Sequence, residues 1–326
     1  MSMVSHHAAN GQELVSHDPP GLTGYLAAEG FETPLLEELG AGTSVHGRLV
    51  LASGPARPAA WAQNVWFEIE RIEISSIKDG ARALRALQRN WALWPTGHPG
   101  RARLIQEELP HVGAKPLRFP DPPPRAPLGS WTLLEPNVIL AARRCSSPFR
   151  HGEVRFVEDR KAPPSRAYLK LWEALTIAGR YPRPGEFCLD LGASPGGWTW
   201  AARQLGASVL AVDRAPLDPR IAALPGVEVW RQSAFALKPA EIGPVDWLLS
   251  DVACYPTRLL KLVRNWIDSG LAANFVCTLK FQGVTDRDTA RSFAAIPGGR
   301  LMHLFHNKNE LTWIRLGRGL DASQAI

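Results

Sequence analysis

The sequence predicts an α/β protein: a mostly parallel sheet with crossover helices, preceded by a smaller α+β region. Three observations lead there. From near Ser165 onward, apolar runs bounded by Gly, Pro and Asp alternate with segments of helical spacing, the pattern of a covered parallel sheet. Ahead of that, residues 21–155 mix alternating runs and amphipathic stretches without such regularity. A chain of 326 residues also exceeds one average domain, so two are expected, meeting near residue 155.

Residues 1–20, rich in His, Ser, Asn and Gly, lack a periodic apolar pattern and read as a disordered tail. Gly24-Tyr25-Leu26 opens a strand, and Phe31 to Leu39 reads as a short amphipathic helix. Val45 to Ala52 and Val65 to Ile74 read as strands, the second by its alternation, and Lys78 to Trp91 has helical spacing. Between Pro110 and Pro127 the prolines Pro116, Pro120, Pro122, Pro123, Pro124 and Pro127 remove donors and fix φ, which makes the segment a loop. Val138 to Ala142 is a strand. The second region, residues 156–318, supplies strands at Phe187–Leu191, Ser208–Val212, Val227–Trp230, Trp247–Ser250, Phe275–Lys280, Leu301–Phe305 and Leu311–Arg315. Helices are expected around Tyr168–Ala178, Trp198–Gln204, Arg258–Asp268 and Arg287–Ala294, with residues 319–326 as a C-terminal tail.

Composition narrows the class of protein. A 45% hydrophobic, 21% charged chain is ordinary for a globular protein, which excludes wholesale disorder and collagen-like structure. No run approaches 18 apolar residues, so no membrane-spanning helix is expected. Met1 to Gly21 has no basic cluster followed by an apolar core and does not read as a secretory signal. Cys145, Cys188, Cys254 and Cys277 form no CxxC pair. They argue against a disulfide scaffold or a zinc site and suit a reducing, cytoplasmic setting with no metal. The net charge of +6 is uneven: residues 1–50 hold one basic and six acidic side chains, leaving +11 on the remainder. A basic body suggests a polyanionic partner such as nucleic acid, although an Arg-rich solvated surface would give the same sum.

The chemistry concentrates after the strand at Phe187–Leu191. Gly192-Ala193-Ser194-Pro195-Gly196-Gly197-Trp198 is a glycine turn into a helix, and Asp213 ends the next strand, 23 residues after Asp190. Glycines allow close backbone approach and tight turning, and an acid at that place can accept hydrogen bonds from two ribose hydroxyls. Strand, glycine turn, helix, strand and acid make a nucleoside-cofactor site of the Rossmann kind. The glycines alone could serve only a tight turn. A dinucleotide site would show GxGxxG to cradle a pyrophosphate, and this turn carries a proline instead.

That turn resembles the D-L-G-x-x-P-G-G-W turn of FtsJ-type S-adenosylmethionine-dependent methyltransferases. The resemblance implies a Rossmann-like class I fold: a mostly parallel seven-stranded sheet whose last strand is antiparallel. In that family the turn (Gly192, Ser194, Pro195, Gly196, Gly197, Trp198 here) binds the amino-acid end of the cofactor, and the acid, Asp213, binds its ribose. Four further places match. Ser165-Arg166-Ala167-Tyr168-Leu169-Lys170 resembles the S-R-x-x-x-K helix, and Leu249-Ser250-Asp251 the end of the fourth strand. Thr278-Leu279-Lys280 resembles the end of the fifth, and Asn307 to Thr312 the H-x-x-x-E-x-T turn carrying Glu310. By the resemblance, Lys170, Asp251, Lys280 and Glu310 form a K-D-K-E tetrad that deprotonates a ribose 2′-hydroxyl. Asp251 also belongs to the cofactor pocket.

The tetrad makes independent physical sense. A 2′-hydroxyl is a poor nucleophile, and a lysine serves as its base only with a pKa pulled towards neutrality. Burial and a second ammonium lower a lysine pKa, while carboxylates oppose that. Lys280 is therefore assigned as the base. Lys170 is assigned to depress it and to stabilise the oxyanion, with Asp251 and Glu310 as orienting carboxylates. Read singly, Lys170 could be a solvated helix lysine paired with Glu173, Asp251 a helix N-cap and Glu310 a surface charge.

The approach to the second region, Ser147-Pro148-Phe149, Arg155-Phe156 and Ala162-Pro163-Pro164-Ser165-Arg166, is similar to that of bacterial 23S rRNA cytidine 2′-O-ribose methyltransferases of the RlmM type. Gly30-Phe31-Glu32 resembles the opening of their THUMP-containing RNA-capture region. The resemblance is strong over residues 163–316 and implies 23S rRNA or a large-subunit precursor as partner. Two departures stand out. Ser233 occupies the place of an acid that contacts adenine, and Ala167 stands where closer relatives have serine. Arg82, Arg85, Arg89, Arg101, Arg103, Arg118 and Arg125 are candidate phosphate contacts, or solvated surface. Of Trp198, Trp200, Trp230 and Trp247, at most one is expected as a base platform and the rest as core. The function read from all this is 2′-O-methylation of RNA, with tRNA or another RNA as the rival target, or a non-catalytic RNA-binding protein as the rival class.

Overall fold

The computed structural model describes residues 21–317; the two tails expected at residues 1–20 and 319–326 lie outside them. The first half runs β1 (Leu22–Ala27), α1 (Glu32–Leu39), β2 (Thr43–His46), β3 (Leu49–Ser53), β4 (Ala62–Phe67), β5 (Glu70–Glu73), α2 (Ile77–Leu87), β6 (Trp91–Leu93), α3 (Pro99–Glu107), β7 (Gly129–Glu135), β8 (Val138–Ala142) and β9 (Arg144–Cys145). These strands make two sheets, ordered β2-β3-β1-β4-β9 and β5-β8-β7-β6.

Several expected boundaries shift for local reasons. The run from Val45 to Ala52 is two antiparallel strands turning at Gly47, whose φ of 63° suits glycine. The alternating run from Val65 to Ile74 breaks at Glu68, φ 52°, and its halves join different sheets. Alternation survives that corner because each half still buries one face. The helix expected to reach Trp91 ends at Leu87, and the Trp91 indole caps it by donating to the carbonyls of Leu84 and Gln88. Helix α3 and strand β7 escaped the sequence reading. Among α3's nine residues only Ala102 and Ile105 are buried, too few to show a period.

The second half holds α4 (Tyr168–Ala178), β10 (Phe187–Leu191), α5 (Gly197–Gln204), β11 (Ser208–Val212), α6 (Pro219–Ala222), β12 (Val227–Trp230), α7 (Pro239–Ile242), β13 (Val245–Ser250), α8 (Pro256–Ser269), β14 (Ala272–Lys280), α9 (Arg287–Ala294), β15 (Gly299–Met302) and β16 (Glu310–Arg315). The seven strands are ordered β12-β11-β10-β13-β14-β16-β15, with β16 antiparallel to both neighbours and the pairs from β12 to β14 parallel. Strand order reverses between β10 and β13, the crevice where ligands bind in such sheets. The strand expected to continue to Phe305 stops at Met302. The amides of Phe305 and His306 instead donate to the Glu173 carboxylate at 2.7 and 3.0 Å, leaving the ladder.

The four-stranded sheet and helices α2 and α3 share a core of their own around Trp91, Trp131 and Ile105. The five-stranded sheet instead joins the core beneath α8 and α9, through Tyr25, Leu35, Val50 and Trp61. At that junction Phe31 stacks on Trp61 with centroids 4.8 Å apart, and the His303 amide donates to the Ala60 carbonyl at 2.6 Å. Among the described residues no helix is long and apolar enough to cross a membrane.

Candidate active site

Strand β10 delivers the chain into the glycine turn, where neighbouring protein atoms crowd two of the glycines. A Cβ on Gly192, whose φ is 80°, would lie 2.6 Å from the Cα of Val252, so only glycine lets the segment after Asp251 close on the turn. A Cβ on Gly197 would lie 2.8 Å from Ser165 Oγ, at the start of the segment leading to Lys170. The turn is pinned to Asp213: the Ser194 amide donates to Oδ2 at 3.0 Å and the Ala215 amide to Oδ1 at 2.9 Å. The Ser194 hydroxyl is engaged with the Pro216 carbonyl at 2.9 Å. The Asp218 amide donates to the carbonyl of Pro195, and the Trp200 amide to that of Gly196.

The Trp198 side chain belongs to the core: its ring is buried, and its Nε1 donates to the Ala167 carbonyl at 2.8 Å, so only its backbone remains to face a ligand. Trp200 and Trp247 are also core, and only Trp230 of the four is half-buried. Ser233 follows β12 and caps a short 3-10 turn, its Oγ accepting from the Phe235 amide at 3.3 Å.

Asp190, the acid that opens the D-L-G turn motif, has an unusual environment. It is fully buried; Oδ2 accepts from the Thr199 hydroxyl at 2.6 Å, and Oδ1 has no partner. Burial, reinforced by the charges of Asp251 and Asp213 and opposed by the Thr199 hydrogen bond, pushes its carboxyl up to about 7.

The four charged residues converge from four elements. Lys170 Nζ lies 2.7 and 2.8 Å from the two oxygens of Asp251 and 3.0 Å from Glu310 Oε1. Lys280 Nζ lies 3.1 Å from the same Asp251 Oδ1 and also donates to the Asp251 carbonyl. One carboxylate oxygen thus holds two ammonium groups together. Burial works against the Lys170 charge, but attraction and hydrogen bonds from Asp251 and Glu310 outweigh it, so its pKa sits above the ordinary lysine value. Lys170 is therefore a fixed cation. The Lys280 side chain is 29% exposed against 11% for Lys170, so Lys280 is the one open to the cleft.

Supporting residues complete the cluster. Thr278, two residues before Lys280 and on the same strand face, donates its hydroxyl to Asp251 Oδ1 at 2.6 Å. Glu173, one turn beyond Lys170, does not pair with it. Its carboxylate takes the Phe305 and His306 amides and His306 Nδ1, at 2.7 Å for the latter, tying α4 to the turn that leads to Glu310. Asn307 donates to the Glu310 carbonyl at 3.2 Å and exchanges hydrogen bonds with Thr312, locking that turn. The tetrad opens into a cleft of about 880 Å³ whose walls include Arg155, Arg166, Phe305, His306 and Lys308.

The Thr278→Val variant is expected to lose about tenfold or more in kcat/KM with cofactor affinity retained. A hydrogen bond to a charged group is worth roughly 1.5–3 kcal/mol, and the isosteric valine leaves the strand intact. Steady-state methyl transfer checks this, and an unchanged kcat/KM would remove Thr278 from the machinery.

Comparison with known proteins decides the family. A model of the FtsJ-like methyltransferase family matches residues 163–318. A ribosomal RNA large subunit methyltransferase M from Alkalilimnicola ehrlichii is 38% identical over 332 residues, covering 95% of this chain and 82% of that protein. The chain belongs to the ribosomal RNA large subunit methyltransferase M family. Its member from Halorhodospira halophila is 39% identical over 157 residues, so the match spans about half of each protein, 46% of either chain. The member from Laribacter hongkongensis is 30% identical over 248 residues, covering 68% of this chain and 69% of that one. The chain is accordingly a methyltransferase whose cofactor is S-adenosylmethionine.

The residues present fit that cofactor. Each Asp213 oxygen accepts a single backbone amide, which leaves lone pairs for hydroxyl donors. Beneath the turn, Asp190 Oδ1 is buried without a hydrogen-bond partner among the described residues.

Proposed function

We propose that the chain methylates a ribose 2′-hydroxyl of RNA, a cytidine of the large-subunit 23S ribosomal RNA, using Lys170, Asp251, Lys280 and Glu310. The observation that carries this is the pair of ammonium groups on Asp251 Oδ1, at 2.7 and 3.1 Å, at the floor of a cation-lined cleft. The relatives, named as ribosomal RNA large subunit methyltransferases, support ribosomal RNA as the substrate.

Residues Gly192, Ser194, Pro195, Gly196, Gly197 and the Trp198 backbone would hold the amino-acid end of S-adenosylmethionine, Asp213 its ribose hydroxyls, and the Ser233 segment its adenine. When bound, the cofactor supplies an electrophilic sulfonium methyl. The chain's part is proton handling and orientation. Lys170, kept charged between Asp251 and Glu310, would stabilise the developing alkoxide. Lys280, the exposed partner, accepts the 2′-hydroxyl proton, while Asp251 fixes both amines in place. Residues 156–318 form the catalytic unit in this reading, and residues 21–155 a THUMP-like RNA-capture region.

Two measurements test the reading together. Calorimetry with S-adenosylmethionine should show binding, and radiolabelled methyl groups incorporated into 23S rRNA should survive in alkali-resistant dinucleotides. Absence of cofactor binding would leave an RNA-binding protein without catalysis. Label on a base rather than a ribose would overturn the tetrad's role.

A further inference from the structure

Three clefts of this molecule adjoin one another. One of about 770 Å³ lies against the five-stranded sheet and carries Arg125, Arg143 and Arg144. A second, of about 480 Å³, carries Lys115, Arg150 and Arg155. The two share a wall of Pro124, Ala126, Pro127, Leu128 and Pro148. The second then shares Arg155 with the tetrad cleft, and consecutive residues Leu117 and Pro116 line the two. Outside the tetrad cleft these walls hold five cations, Lys115, Arg125, Arg143, Arg144 and Arg150, against Glu68 and Glu153.

The proline-rich segment forms one side of this path and is fastened to the catalytic half. The Leu117 amide donates to the Arg155 carbonyl at 2.7 Å, and the Val157 amide to the Leu117 carbonyl at 2.9 Å. Phe119 stacks on Trp172 of α4 with centroids 4.6 Å apart and planes 8° from parallel. A segment that sequence reads only as loop is therefore a wall, stiffened by its prolines and fixed to the helix bearing Lys170. The cations are available to phosphates. Arg144–Glu68, Arg143–Glu70 and Arg155–Glu153 are surface pairs at 3.2, 2.9 and 2.8 Å, and such pairs are weak enough to exchange for a polyanion.

We propose that these joined clefts are one trough that leads a single RNA strand from the five-stranded sheet to the tetrad, with the proline-rich segment as its rigid wall. The proposal rests on the reading of the site as an RNA ribose methyltransferase and adds where the strand runs. The strand is unpaired because the target ribose must reach Asp251, whose side chain is only 15% exposed.

The test uses the variant Arg125→Glu/Arg143→Glu/Arg144→Glu, none of whose positions touches the tetrad or the glycine turn. Fluorescence anisotropy is measured with mixed-sequence single-stranded oligoribonucleotides of increasing length. Wild type should bind more tightly with length until the trough is filled. The variant should match wild type on the shortest RNAs and lose tenfold or more on the long ones. Its slope of log Kd against log salt should fall by about 2, three phosphates at ~0.7 each. With 23S rRNA as substrate its KM should rise with kcat retained. Unaltered calorimetric S-adenosylmethionine binding shows that the variant is folded, and the milder Arg→Ala set at the same positions should give a smaller loss of the same kind. Equal binding at all lengths, or equal losses on short and long RNA, would overturn the trough. Length-dependent binding without methylation of any RNA would retain the trough and sink the proposed function instead.

Discussion

Replacing Lys280 by alanine is expected to lower methyl transfer at least 10²-fold, about the contribution of one positioned acid–base group, while S-adenosylmethionine binding persists. The expectation follows from how the two lysines differ. Lys170 touches three carboxylate oxygens and is held charged, so it cannot accept a proton. Lys280 touches one carboxylate oxygen and a carbonyl and opens to the cleft. Lys280→Arg should be as inactive as the alanine variant, since a guanidinium stays protonated while preserving the positive charge. Single-turnover transfer with calorimetry on the same samples checks both variants. Normal transfer by either would remove Lys280 from the role of base.

The second large effect is a gain in stability coupled to a loss of function. Asp190→Asn should stabilise the protein above neutral pH and weaken S-adenosylmethionine binding tenfold or more. In the folded chain the Asp190 carboxyl titrates near 7, against 3.8 for an ordinary aspartate. Between those values the folded state keeps a proton that the unfolded chain releases. Stability from this group is therefore fully present below about pH 4 and is lost as pH rises through about 7. At roughly 1.36 kcal/mol per unit, the loss is on the order of 4 kcal/mol. Asparagine resembles the protonated acid and abolishes that slope, but it offers no charge to a cationic ligand. Urea unfolding of both proteins at pH 4.5 and pH 8 reads the first part, and calorimetry the second. Parallel pH dependences in the two proteins would show that Asp190 is not the carboxyl under strain.

The tetrad was legible because each member stands in a short motif at the end of one element, and a parallel sheet brings such ends to one edge. Glu173 was not. Its partners Phe305 and His306 lie 132 and 133 residues away, and its distance from Lys170 along the helix suggested an ordinary surface pair. Asp190 stands in the D-L-G turn motif, but its raised pKa comes from burial, which has no local signature. Trp198 matched a cofactor motif by position, yet its indole serves the Ala167 carbonyl. In the first half the alternation from Val65 to Ile74 concealed a change of sheet at Glu68, since period two says which face is buried and not which sheet. The proline-rich segment was correctly read as loop. Its fastening by Leu117 and Phe119 depends on partners in the other half of the chain.

Ribose 2′-O-methylation mapped across 23S rRNA and tRNA in cells lacking this chain decides whether it is a 23S rRNA cytidine 2′-O-methyltransferase. One 2′-O-methylcytidine in 23S rRNA should be lost, and restored by the wild-type chain but not by Lys280→Ala. An unchanged 23S map, or a lost mark confined to tRNA, would contradict that assignment.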